Sequence, residues 1–147
     1  MDDILFRAQP VGGGECINGF YFCMHHDDER KHLHHFLIPN NCPIPKEKPI
    51  GEIQIEVDPD TVCQFTGATD IDGVYIFDGD VIDIEDVDGN HKIGAVTCIE
   101  NGWRVFTKED YLRDLYSYVP SADEVRVVGN RFDHPVLWEK AFRGIER

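Results

Sequence analysis

The sequence predicts a mainly β protein: a small antiparallel, barrel-like (SH3-like) domain of β-hairpins carrying one or two short helices. Three observations lead there. Turn dipeptides Asp72-Gly73, Asp78-Gly79, Asp88-Gly89 and Asn101-Gly102 punctuate the middle of the chain in the rhythm of a small barrel or sandwich. Between them lie short apolar and β-branched runs at 74–77, 81–87, 93–99 and 103–106. Ahead of them, residues 52–57 alternate strictly, with Ile53, Ile55 and Val57 on one face of a half-buried strand.

The elements follow in order within one domain, 1–147. Residues 1–15 supply an N-terminal strand and a flexible turn at Gly12-Gly13-Gly14. Residues 16–57 form a hairpin and a strand. Apolar stretches 17–24 and 32–38 flank the charged tip 25–31, and a loop at 40–48 holds Asn40-Asn41, Pro43 and Pro45. Residues 58–132 form the barrel core, with hairpin tips at 88–90 and 101–102 and a last strand at 125–128. Inside it a helix is expected over 108–119. Thr107 and Asp110 resemble a capping box, Tyr111, Leu115 and Tyr118 fall at helical spacing, and Pro120 ends the segment. Residues 133–147 hold a C-terminal helix, with Asp133 as N-cap and Pro135 in the first turn. Trp138 and Phe142 lie four residues apart on it. So short a helix must lean on something. The two aromatics are therefore expected to cover the domain's own core or to anchor an interface in a homo-oligomer.

Charge narrows the function classes. The 147 residues carry 28 acids against 14 bases, a formal net charge of −14, and such a surface repels phosphate backbones. Direct nucleic-acid binding is not expected, whereas a protein partner is. No apolar run approaches the ~20 residues of a membrane-spanning helix. The acidic start, Met1-Asp2-Asp3, lacks a signal-peptide pattern, so a cytoplasmic location is expected. Cys16, Cys23, Cys42, Cys63 and Cys98 form no C-x-x-C pair and read as free thiols, most of them small buried hydrophobes.

Two clusters invite a chemical reading. His25, His26, His32, His34 and His35 crowd one hairpin, and His25, His32 and His34 are the candidates for holding a metal such as zinc. A polar hairpin tip explains the same residues, and no metal is assigned. The acids Asp70, Asp72, Asp78, Asp80, Asp83, Glu85, Asp86 and Asp88 suggest a cation site, but the pattern breaks at Val74-Tyr75-Ile76-Phe77, where a calcium loop needs polar ligands. Nucleophile-elbow and phosphate-loop motifs are absent. No catalytic residue and no cofactor is assigned.

One longer pattern remains. It runs Val57-Asp58-Pro59-Asp60-Thr61-Val62-Cys63-Gln64-Phe65-Thr66-Gly67, then Asp70, Asp72-Gly73 and Ile76-Phe77-Asp78-Gly79-Asp80-Val81, and closes with Val128-Gly129-Asn130-Arg131-Phe132-Asp133. With Phe6-Arg7-Ala8 and Gly19-Phe20-Tyr21 it resembles the YopX family of phage and prophage proteins over nearly the whole chain. The resemblance implies a mostly β, barrel-like domain encoded by a bacterial mobile element, and it brings no catalytic residues or cofactor. The chain departs from the family pattern at 16–19, where a Trp is common, and in its histidine-rich hairpin. Asp58, Pro59, Thr61, Gln64, Thr66, Gly67, Asp70, Gly73, Gly79, Asp80, Gly129 and Asn130 are the motif positions, expected to serve as scaffold or binding site. Among them Gly67, Gly73, Gly79 and Gly129 suit turns of positive φ. The leading expectation is a non-enzymatic protein-interaction module. The alternatives are a metal-dependent hydrolase or nuclease, and an acidic DNA mimic that inhibits a host enzyme.

Overall fold

A computed structural model describes residues 5–25, 33–39, 53–109, 111–119 and 123–142. It divides the chain into two compact units, Met1–Gln64 and Phe65–Arg147. Both are built of antiparallel strands, and the mainly β class read from the sequence holds.

In the first unit, β1 (Phe6–Ala8), β2 (Ile17–His25), β3 (Leu33–Pro39) and β4 (Ile55–Glu56) lie in the order β4-β3-β2-β1. The hairpin expected at 17–38 is β2–β3, in register from Gly19 opposite Pro39 to His25 opposite Leu33. Its tip, 26–32, and the loop 40–48 lie outside the described residues. Tyr21 and Leu37 sit opposite each other and face the small core of Ala8, Leu37 and Val57. The neighbouring positions point the other way, where Phe22 stacks on Phe36 with centroids 5.4 Å apart.

The strand expected at 52–57 is much shorter than its alternation suggests. Only Ile55 and Glu56 pair with β3. At Val57 the chain crosses to bridge Pro10, and the Val57 and Asp58 amides donate to the His35 and Gln9 carbonyls, both at 2.9 Å. Burial of Val57 meets the apolar pattern without a continuous ladder.

Strand β5 (Cys63–Thr69) passes from the first unit to the second at Phe65. There β6 (Tyr75–Phe77) pairs with it, Phe65 opposite Phe77. A five-stranded sheet follows: β7 (Asp80–Glu85), β8 (His91–Ile99), β9 (Gly102–Thr107), β10 (Tyr111–Asp114) and β11 (Glu124–Asn130), in the order β10-β9-β8-β7-β11. One face of the sheet contributes Ile82, Ile84, Val96, Val105 and Val125 to a core completed by Ala68, Ile76, Leu115 and Tyr118. The turn dipeptides sit where the sequence puts them, with one shift. Ile99 pairs with Gly102, so the two-residue turn is Glu100-Asn101, with φ of 55° and 64°. Two successive positive φ values give the turn whose twist suits a tight hairpin.

The helix expected over 108–119 is not formed. Thr107 is the buried last residue of β9 and pairs with Tyr111, so 111–114 add β10 as a further antiparallel strand. Leu115–Ser117 then make a single 3-10 turn. Leu115 and Tyr118 are fully buried, but Tyr111 is 57% exposed, so the three do not share one buried face. Tertiary pairing along β9 outweighs a weak helical signal.

The C-terminal helix forms as α1 (Pro135–Lys140), with Pro135 in its first turn. Its N-cap is His134, not Asp133, and makes no side-chain capping bond. Asp133 instead accepts from the Asn130 amide side chain at 3.1 Å. Among the described residues no helix is long and apolar enough to cross a membrane.

Candidate functional site

The motif positions are held by their own backbone. In the first unit Asp58 caps a 3-10 turn at Pro59–Thr61, accepting from the Asp60 amide at 3.0 Å. The Thr61 hydroxyl donates to the Asp58 carbonyl at 2.8 Å and accepts from the Gln9 amide at 2.9 Å. Gln64, opposite Phe6, is exposed.

In the second unit the pattern repeats with deeper burial. The Thr66 hydroxyl donates to the Ile76 carbonyl at 2.7 Å and accepts from the Ala68 amide at 3.2 Å. Asp70 is 7% exposed. Its Oδ1 accepts from the Asp72 and Val74 amides at 2.9 Å, and its Oδ2 from the Val127 amide at 3.0 Å. Asp80 is fully buried, and its carboxylate accepts from the Phe77 amide at 2.8 Å. Asn130 Oδ1 accepts from the Phe132 and Asp133 amides. Asp and Asn favour such turns because a short side chain reaches amides two to four residues on.

Gly67, Gly73 and Gly79 have the positive φ expected of them. Gly129 does not, and close approach explains it: a Cβ there would lie 2.8 Å from Nδ1 of His134. That nitrogen accepts from the Asn130 amide at 3.2 Å.

Among these turns opens an apolar pocket of about 430 Å³, lined by residues 67–71 together with Tyr116, Tyr118, Val119, Asp123 and Val125. Strand β5 supplies one wall, the Asp70 turn a second, and the segment after β10 a third. The walls are tied together. The Tyr116 hydroxyl donates to the Thr66 carbonyl at 2.5 Å, and the Ile71 amide donates to the Val125 carbonyl at 2.9 Å. Burial raises the Tyr116 pKa, with a further contribution from the Asp114 charge, so the phenol keeps its proton and remains a donor. Ile71 stays 51% exposed at the rim. The sequence reading includes Gly67 and Asp70 but misses Tyr116, Val119 and Val125. The 108–119 helix hides the first two by placing them on a helical surface, and only the apolar character of Tyr116-Tyr118-Val119 hints at them.

The histidines part company. Met24 is opposite His34, so His25 and His34 point to opposite faces of β2–β3, and His32 lies outside the described residues. His34 bonds Glu56 at 3.0 Å, while His35 Nδ1 meets the Tyr21 hydroxyl. Burial raises the Tyr21 pKa. Among the described residues no three His, Cys, Asp or Glu side chains are grouped to hold a metal ion. The cysteines correct the sequence reading as well: Cys63 is buried, Cys16, Cys23 and Cys98 are exposed, and Cys42 lies outside the described residues. Cys23 and Cys98 share strand faces with Tyr21 and Val96 but lie two residues further along, where the strand is exposed, which the sequence does not disclose. Trp138 and Phe142 are half-buried and meet at a tilt with centroids 5.4 Å apart, and Phe142 lies 5.0 Å from Phe106.

These features define an antiparallel β protein whose acids and hydroxyls brace its own turns and whose second unit opens an apolar pocket among them. The model of the YopX family, described as YopX protein, matches residues 6–139, and the chain belongs to that family. Two solved structures are similar. Protein yopX from Bacillus subtilis is 11% identical with a TM-score of 0.52, over 90% of this chain and 96% of that one. Protein EF1440 from Enterococcus faecalis is 18% identical with a TM-score of 0.55, over 94% and 99%. At these identities the likeness is one of fold. No curated protein matches the sequence.

Proposed function

We propose that this YopX-family protein is a non-enzymatic interaction module that takes an apolar side chain of a partner protein into the pocket beside Tyr116. One observation carries the reading: the motif's polar groups hold backbone amides, while the cavity they frame is lined mainly by Ala68, Ile71, Tyr116, Val119 and Val125. Concave apolar sites rimmed by a few polar groups are where binding partners gain most from desolvation. Of the acids from 70 to 80 that a hydrolase alternative could draw on, Asp70 and Asp80 are buried and grip amides, which does not favour a hydrolase.

The test is affinity capture from lysogenic or infected bacteria with the wild type and with Ile71→Asp. Ile71 is half exposed, so the substitution leaves the core intact, which a thermal melt checks. A partner retained by the wild type and lost by Ile71→Asp supports the reading. Equal capture of every partner by both proteins overturns it.

A further inference from the structure

A second cavity of about 260 Å³ lies elsewhere in the second unit, lined by His91, Lys92, Ile93, Lys108, Glu109 and Lys140. Four of these six residues are basic, in a chain where acids outnumber Lys and Arg two to one. They come from three places in the fold: the start of β8, the turn after β9, and the last turn of α1. Two of the four are already engaged. His91 Nδ1 lies 2.9 Å from Asp83 and Nε2 3.5 Å from Glu85, and the Lys92 ammonium sits 5.0 Å above the Tyr118 ring. Lys108 and Lys140 are different. Among the described residues neither ammonium has a carboxylate within ion-pair distance, while Arg104 and Arg126 both do.

We infer that this cavity binds the phosphate group of a small molecule, clamped between Lys108 and Lys140. Two ammonium groups on flexible stems approach a tetrahedral dianion from separate sides, whereas a planar carboxylate is better matched by arginine. Among the described residues Glu109 is the one acid in the lining, so Lys108 and Lys140 outnumber it. Asp83 and Glu85 are held by His91, and salt screens the remaining excess of acid beyond ~8 Å. That excess still opposes a polyanionic nucleic acid, which must run across the surface. Among the described residues no aromatic ring lines the cavity to stack on a nucleobase. The ligand class is therefore a compact phosphate or pyrophosphate compound.

The experiment is a titration of the intact protein with sodium pyrophosphate and, separately, glycerol phosphate at ~0.15 M salt. Amide shifts are followed by NMR against sodium chloride at matched ionic strength. The inference expects saturable shifts at residues 91–93, 108 and 109 with at least one of the two compounds. Lys108→Gln and Lys140→Gln should each weaken binding roughly tenfold or more, as loss of a charge-assisted bond implies. Lys140→Arg should recover part of the loss. Both lysines are exposed, so the variants' own spectra report that they fold. Unsaturating shifts spread over many residues, or saturable binding unchanged in both Gln variants, would overturn the inference.

Discussion

Asp70 and Val127 are 57 residues apart in the chain, yet the Asp70 carboxylate accepts the Val127 amide at 3.0 Å. Together with the Asp72 and Val74 amides, that bond makes one buried side chain a link between the β5–β6 turn and the edge strand β11, beside the Ile71–Val125 backbone bond. Asp70→Asn keeps the volume but replaces an acceptor oxygen with a donor facing an amide. The expected loss is about 2–3 kcal/mol of unfolding free energy in urea, since a buried amide is left unpaired and charge assistance is gone. A loss below ~0.5 kcal/mol would mean that the bonds to Asp70 do not hold the turn.

Gly94 is fixed by crowding. A Cβ there would stand 2.5 Å from Cγ1 of Val105 and 3.3 Å from Cγ1 of Ile82, both of them fully buried. Gly94→Ala should therefore cost ~1–3 kcal/mol by overpacking. Adding Val105→Ala should recover part of that loss, which a double-mutant cycle in urea measures.

His91 gives the fold a pH signature. Its hydrogen bond to Asp83, reinforced by the charges of Asp83, Glu85 and Asp86, raises its pKa above the ordinary value of about 6.5, against a smaller desolvation effect. The folded state thus binds the proton more tightly than the unfolded chain. Its contribution to stability is full below about pH 6.5 and disappears as pH rises through the folded pKa. His91→Gln should flatten that part of the urea-midpoint profile. Asp86 acts in the opposite sense. Its carboxylate accepts from the Asn90 and Asp88 amides, which lowers its pKa, so its contribution is present above about pH 3.9 and is lost on further acidification.

Phe142 closes on Phe106 and Trp138, and its neighbour Ala141 is fully buried. Phe142→Ala should cost roughly 1–3 kcal/mol, less than full burial of the ring would imply. A chain ending at Asp133 should lose cooperative unfolding of the second unit by near-ultraviolet circular dichroism. Full retention of that signal would show that α1 adds nothing to this unit's stability.

The sequence discloses most of the strands because period-two patterning and turn dipeptides are local signals. Residues 17–25, 33–38, 81–85 and 91–107 needed only those. It misleads where long-range pairing decides. Tyr111 takes a φ of 62° and follows β9 as a strand, although Thr107, Asp110 and Leu115 read as parts of a capped helix. Ile53 and Ile55 alternate as a strand should, but β3 offers only two residues of pairing. The site was legible in part. Gly67 and Asp70 belong to a sequence pattern, whereas Tyr116 and Val125 reach the same cavity only through the β-sheet topology.

The Asp70 clasp also bears on how far such a chain can drift. Its three partners are main-chain amides, which every amino acid except proline provides. The residues at 72, 74 and 127 can therefore be exchanged for almost any others without breaking the clasp, provided that proline stays out. An architecture tied in this way needs few specific pairs of side chains to change in step. That freedom gives a physical route by which chains only 11% and 18% identical to this one arrive at a similar fold.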